Sequence, residues 1–140
     1  MNYGEFISSF LIDLQRLFRS DISIKNMTYS QVLAIISIPI DGIEMSELAR
    51  KLGLDNSTIT RLMVRLENKG WVGREKSRRD KRAIKVFLKT TGLVLQKDIE
   101  KKIESIGEKI KIEIDDEKRE SILEHLYTFQ WGLRKTFLKK

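Results

Sequence analysis

Residues 46–70 read "SELARKLGLDNSTITRLMVRLENKG". Two helical patterns lie in this stretch, each with a start and a stop. In the first, Ser46 is a candidate N-cap, Leu48, Ala49 and Leu52 share a face, and Gly53 suits the left-handed residue that closes a helix. In the second, Asp55 or Asn56 can cap, Ile59, Leu62, Met63 and Leu66 recur at helical spacing, and Gly70 ends the run. Two capped helices joined by a tight, glycine-containing turn predict a helix-turn-helix.

The flanks extend this pattern. Upstream, "TYSQ" at residues 28–31 is a capping box, with Thr28 as N-cap and Gln31 reaching back. The helix it opens carries Val32, Leu33, Ile35 and Ile36, and Pro39 should end it. "IEM" at residues 43–45 reads as a short strand. Phe6, Ile7, Phe10, Leu11, Leu14, Leu17 and Phe18 form the apolar stripe of a first helix, roughly residues 4–21. Downstream, "WVGREKS" at 71–77 is a strand, "SRRDKR" at 77–82 is a cationic tip, and Ile84, Val86 and Leu88 alternate as a returning strand. Thr90 or Thr91 can cap a long helix bearing Val94, Ile99, Ile103, Ile106 and Ile110. Gly107 inside it marks a bend or a packing accommodation. "IDDEK" at 114–118 breaks that helix and caps a last one, which carries Ile122, Leu126, Phe129, Leu133 and Phe137.

The expected fold class is therefore mostly α with a small β-hairpin wing (α+β): a winged helix-turn-helix between terminal helices. The 140 residues read as a single-domain subunit. Its core spans about 28–92, with association helices at about 4–22 and 91–138.

Charge singles out the same middle segment. Residues 46–88 hold twelve basic and five acidic side chains, a surplus of +7, which equals the net charge of the whole chain. A cationic patch confined to one segment is the electrostatic footprint of a polyanion binder. Against it stands the reading of an ordinary lysine-rich surface, which suits the ends of the chain, where signs alternate. There is no cysteine, so disulfides and thiolate metal sites are excluded. With one histidine, His125, no zinc site is expected, and His125, Glu120 and Glu124 read as a solvated helix edge. Tyr127 and Trp131 read as core or interface residues. No Walker, nucleophile-elbow or zincin motif is present, so neither an enzyme nor a cofactor is expected. The absence of a long apolar run and of a signal-like N-terminus predicts a cytoplasmic protein with no membrane partner.

Opposite its apolar face, the second helix of the opening stretch shows Ser57, Thr58, Thr60, Arg61 and Arg65. Small hydroxyls near a helix N-terminus permit close approach to a phosphate or base edge, and an arginine can pair with guanine O6 and N7 in a major groove. Arg78, Arg79, Lys81 and Arg82 project from the hairpin tip, where arginine suits the enhanced negative potential of a narrow minor groove. Asp80 sits two residues before Arg82, a spacing that lets its carboxylate pair with that guanidinium and hold it extended.

Residues 45–92, "MSELARKLGLDNSTITRLMVRLENKGWVGREKSRRDKRAIKVFLKTTG", resemble the MarR family of winged helix-turn-helix transcription regulators. The likeness rests on S-x-L-A-x-x-L-G-L, S-T-I-T-R, L-E-x-K-G-W-V and the D-x-R wing. It implies Ser57, Thr58, Thr60, Arg61 and Arg65 as major-groove contacts, Arg82 as the minor-groove arginine and Asp80 as its orienting partner. One departure is "LKTTG", where Lys89 replaces the family's capping threonine; Thr90 could take over and shift the helix start by one residue. The resemblance further implies interleaved terminal helices in a homodimer. The apolar stripes of the end helices, with Phe6, Phe10, Leu14, Phe129, Leu133 and Phe137, agree, because they exceed what a small winged core can cover; the alternative is that these helices cover one another within one chain.

The expectation is a homodimeric regulator that binds double-stranded DNA at a palindromic operator and represses. A small-molecule effector relieving repression is implied by resemblance only; its region is where the first helix, "TYSQVLAII" and "TGLVLQ" meet, with the ligating residues unknown. The alternative is an architectural or protein-interaction winged module that binds DNA non-specifically and takes no effector.

Overall fold

The structure is a computed structural model describing residues 1–139. Its elements in chain order are α1 (Tyr3–Leu17), a π-helical turn (Phe18–Ile22), α2 (Tyr29–Ser37), β1 (Ile43–Glu44), α3 (Met45–Leu52), α4 (Asn56–Asn68), β2 (Val72–Lys76), β3 (Ile84–Leu88), α5 (Thr90–Glu113), a 3₁₀ turn (Asp116–Lys118) and α6 (Arg119–Leu138). The chain divides into two compact units, residues 1–103 and 104–140.

In the first unit, local signals place the ends of the elements. Asn2 and Glu5 form a capping box at α1 that the sequence reading passed over. Thr28 and Gln31 form the expected one at α2, with Gln31 N donating to Thr28 Oγ1 at 3.2 Å and Thr28 N to Gln31 Oε1 at 3.1 Å. Ile38, the residue before Pro39, is extended, so α2 stops where the proline demands. Gly53 closes α3 at φ 68°, and Gly70 follows α4 at φ 82°. Both are backbone conformations that only glycine adopts without cost.

Two cap assignments in this unit are corrected. Ser46 is not the N-cap of α3: the helix begins two residues earlier than that cap would allow, at Met45, and Glu44 stands at the cap without a side-chain bond. Glu44 belongs to the sheet, so strand pairing decides where that helix starts. Thr90 and Thr91 do not cap α5 either. The helix starts at Thr90, and Lys89 O accepts its first backbone bond from Leu93 N at 2.9 Å. Lys89 N is itself held by Trp71 O at 3.0 Å, which pins the strand end and leaves no room for a later start. Thr91 instead donates its hydroxyl to Gly70 O.

The sheet is antiparallel in the order β1-β3-β2, with Ile43 opposite Val86 and Arg74 opposite Val86 on the other side. Val72, Val86 and Leu88 face a core completed by Val32, Ala34, Ile35 and Ile38 of the α2 region, Leu48 and Ala49 of α3, Ile59, Leu62, Met63 and Leu66 of α4, and Ile99 of α5. All four apolar positions predicted for α4 are buried. In α5, Ile99 is buried as predicted, but Val94 is 58% exposed, and Leu93 and Leu95 pack on the core in its place. Burying each of the larger side chains contributes about 1.5–3 kcal/mol.

In the second unit, "IDDEK" breaks the helix as expected but does not cap the next one; Lys118 stands at that position without a side-chain bond. The polar work is done from the other direction. Arg119 Nε donates to Lys111 O and Ile114 O, each at 3.0 Å, satisfying carbonyls at the end of α5.

Two glycines of α5 should respond oppositely to alanine. A Cβ on Gly92 would lie 2.1 Å from Trp71 O, whereas one on Gly107 would meet nothing within 4 Å. Gly107 therefore accommodates no neighbour in the chain. Gly92→Ala should lower stability in urea unfolding by more than 1 kcal/mol, while Gly107→Ala should raise it by about 0.5–1 kcal/mol.

Candidate nucleic-acid interface

The polar face of α4 is presented because its opposite face is buried. Ile59 and Leu66 are 1% and 0% exposed, which fixes the rotation of the helix about its axis. Ser57, Thr60, Arg61 and Arg65 are consequently exposed, and Thr58 is half-buried. Asp55 is the N-cap, with Oδ1 accepting from Thr58 N at 2.7 Å and from Ser57 Oγ at 3.0 Å. The Thr58 backbone N–H, then the Thr58 and Ser57 side chains, hold the Asp55 carboxyl below its ordinary pKa. One of the helix's free N–H groups is thus already engaged. The hydroxyls are engaged too: Thr60 donates to Asn56 O at 2.7 Å, and Thr58 Oγ1 lies 3.4 Å from Arg61 Nη2. Ser57 and Thr60 therefore turn oxygen lone pairs, not protons, toward an incoming group.

The hairpin tip is ordered by its own hydrogen bonds. Ser77 N donates to Ala83 O and Ala83 N to Asp80 O, both at 2.9 Å. The Asp80 carboxylate does not pair with the Arg82 guanidinium. Its Oδ1 accepts the Arg82 backbone N–H at 3.0 Å, an Asx turn. A spacing of two residues around a tight turn favours the nearby backbone over a guanidinium at the end of a long side chain.

Arg79 projects with its side chain 77% exposed and is paired as well. Its guanidinium folds back toward α3, with Nη2 3.0 Å from Glu47 Oε1 and Nε 3.5 Å from Glu44 Oε1. Two further cations of the middle segment are engaged internally. Arg74 of β2 grips Glu67 of α4 through Nη2 at 3.0 Å and Nε at 3.2 Å, and this bond holds the Glu67 carboxyl below its ordinary pKa. Lys69 donates to Asn26 O and lies 5.0 Å from the Trp71 ring. Sequence reading missed the Arg74–Glu67 and Lys69–Asn26 links. The first joins a helix to a strand seven residues on, and the second spans 43 residues, so neither has a periodic signature. Among the described residues, Arg61, Arg65, Arg78, Lys81 and Arg82 stand in no ion pair.

Helix and wing meet in one shallow depression. Its lining combines Asn56, Ile59 and Thr60 of α4, Met45 and Ser46 of α3, and Arg82, Ala83 and Ile84 of the wing. The fold thus brings Thr60 and Arg82, 22 residues apart in sequence, to a common concavity. Elsewhere, among the described residues, no group of three or more His, Asp or Glu could hold a metal ion, and no helix is long and apolar enough to cross a membrane.

This architecture and charge distribution define a winged helix-turn-helix protein. Residues 26–84 match the profile of the MarR family. It is 30% identical over 112 residues to the HTH-type transcriptional regulator TtmR of Methylorubrum extorquens, covering 79% of this chain and 56% of that protein. The chain spans less than two thirds of the length of this relative and of the staphylococcal SarZ regulators of S. saprophyticus and S. haemolyticus. A MarR transcriptional regulator from Methanosarcina mazei superimposes with a TM-score of 0.75 at 28% identity, over 93% of this chain and 98% of that one. FabT of Streptococcus pneumoniae, solved in complex with DNA, shares the fold with a TM-score of 0.79 at 19% identity, over 95% of this chain and 96% of that one.

The Asp55 cap makes a pH prediction. A carboxyl whose pKa is lower in the folded state contributes stability above its unfolded value, and loses it as pH falls through the folded value. Wild-type stability should therefore fall with acid below about pH 4. Asp55→Asn, which keeps the accepting oxygen but cannot titrate, should reduce that slope; an equal loss of stability between about pH 5 and pH 3 in wild type and variant, read from urea unfolding at each pH, would contradict it.

Proposed function

We propose that the chain is a sequence-specific double-stranded-DNA-binding transcriptional regulator that acts as a homodimer on a palindromic operator and represses. The observation that carries this reading is that Asn56 and Thr60, at the start of α4, share one depression with Arg82 of the wing, while Arg61 and Arg65 stand exposed further along the same helix. In this reading Arg61 and Arg65 meet base edges and phosphates in a major groove, with Ser57, Thr58 and Thr60 at the entry of the helix. Arg82, with Arg78 and Lys81, reaches the adjoining minor groove. The cations left outside ion pairs supply the sequence-independent part of the affinity.

The exposed apolar faces of the end helices support a homodimer. α1 has no buried residue and exposes Phe10, Leu11 and Ile12, with Phe10 at 42% and Leu14 at 39%. α6 likewise has none, and exposes Leu133 at 43% and Phe137 at 58%. Phe6 and Phe129 are half-buried. A second copy covering these faces would carry a second α4, and a two-fold pair reads half-sites about one helical turn apart. Relief of repression by a small molecule rests on the resemblance alone.

Selection of bound duplexes from a random pool tests this reading. The expected product is a palindrome preferred over random duplex by roughly 10³-fold or more. Enrichment of no sequence would instead favour a non-specific architectural module. Arg65→Ala should relax preference at one base position by about 1–3 kcal/mol, whereas Arg82→Ala should weaken binding to all duplexes.

A further inference from the structure

Ser77 is 5% exposed, one of the few buried polar residues, and it sits at the base of the wing. Its hydroxyl is engaged on several sides. Oγ donates to Glu44 Oε1 at 3.0 Å and faces the backbone N–H groups of Arg79 at 3.3 Å and Asp80 at 3.4 Å. Asp80 in turn accepts the Arg82 N–H at 3.0 Å. Glu44 is anchored independently of the wing tip: it pairs with Lys85 in the β1–β3 ladder and opens α3. Its side chain is only 17% exposed, and the same Oε1 lies 3.5 Å from Arg79 Nε. A continuous polar relay therefore runs from Glu44 through Ser77 to the Asp80 turn and the backbone of Arg82.

From this geometry we infer that Glu44 is the positioning residue of the wing, and that Arg79 is its clamp on α3 and not a contact to nucleic acid. Glu44 fixes Ser77, Ser77 fixes the path of residues 79–80, and Asp80 then sets where Arg82 leaves the turn. Arg79 closes the arrangement from outside by bridging Glu44 and Glu47. The Arg79 side chain stays 77% exposed, but with a carboxylate on either side its charge is partly compensated, which lowers its share in holding a phosphate. Glu44 owes its place to no wing motif. It is a carboxylate inside a cationic interface, and on charge alone its removal should tighten binding to a polyanion. The relay predicts the opposite sign. The inference rests on the DNA-binding reading for its consequence, but the relay itself can be observed without DNA.

The test uses the full chain and the duplex recovered by selection. Glu44→Ala and Ser77→Ala should each speed amide exchange at Arg79, Asp80 and Arg82 by about tenfold or more, a change in local opening read without any ligand. Both should weaken duplex binding by about tenfold, the loss expected when an ordered arm must be fixed on binding. Arg79→Ala should leave the slope of log affinity against log salt unchanged, whereas Arg82→Ala should reduce it by about one. Tighter binding by Glu44→Ala, or unchanged wing exchange in both Glu44→Ala and Ser77→Ala, would overturn the relay. A salt slope reduced by about one in Arg79→Ala would overturn the clamp. If the wild-type chain bound no duplex, the proposed function would fail while the exchange measurement still decided the relay.

Discussion

The fold turns on the burial of one face of α4. Ile59, Leu62, Met63 and Leu66 pack among α2, α3 and the sheet, so the helix cannot rotate without exposing apolar surface. A rotation that brought Arg65 inward would bury a charge without a partner, at a cost of several kcal/mol. These two penalties act together. They hold the hydroxyls and arginines of the helix outward and give the charge surplus of the middle segment a fixed direction.

The wing is organised by a different kind of interaction. Its tip carries Arg78, Arg79, Lys81 and Arg82 and contributes little apolar surface, so packing alone cannot hold it. Hydrogen bonds do so instead, through Ser77, Asp80 and the Ser77–Ala83 backbone contact. The surface ion pairs of Arg79 add little stability by themselves, because exposed pairs are worth about 0–1 kcal/mol. Their effect is geometric: they spread an anchored carboxylate's position into a segment that has no core of its own.

The formal surplus of +7 in residues 46–88 also overstates what is available for an anion. Arg74 is paired with Glu67 and Arg79 with Glu44 and Glu47. Lys69 is turned to the Asn26 carbonyl and the Trp71 ring. The engaged cations brace α4 against β2, the wing against α3, and the end of α4 against the turn before α2. Of the others, Arg61 and Arg65 lie on the α4 face and Arg78, Lys81 and Arg82 at the wing tip, while Arg50 and Lys51 belong to α3, Lys76 to β2 and Lys85 to β3. One residue class thus serves both cohesion and recognition, and the neighbouring carboxylates decide which.

Sequence by itself determined the helix-turn-helix, the hairpin and the apolar face of α4. Those features are written in short-range terms: capping residues, glycines at left-handed positions, and apolar periods of 3.6 and 2. It also located the cationic segment, because charge is additive along a chain. Only the tertiary structure decided the start of α3 at Met45, where strand pairing of Glu44 overrode the capping preference of Ser46. It alone decided that Lys89 precedes α5, because Trp71 O holds that residue's N–H. It redirected Asp80 from a guanidinium to a backbone N–H, and set the still exposed Arg79 beside a pair of glutamates more than 30 positions upstream. Each of these depends on which groups the fold brings within hydrogen-bond reach, and that is a property of the folded chain's geometry, to which residue spacing along the sequence gives no access.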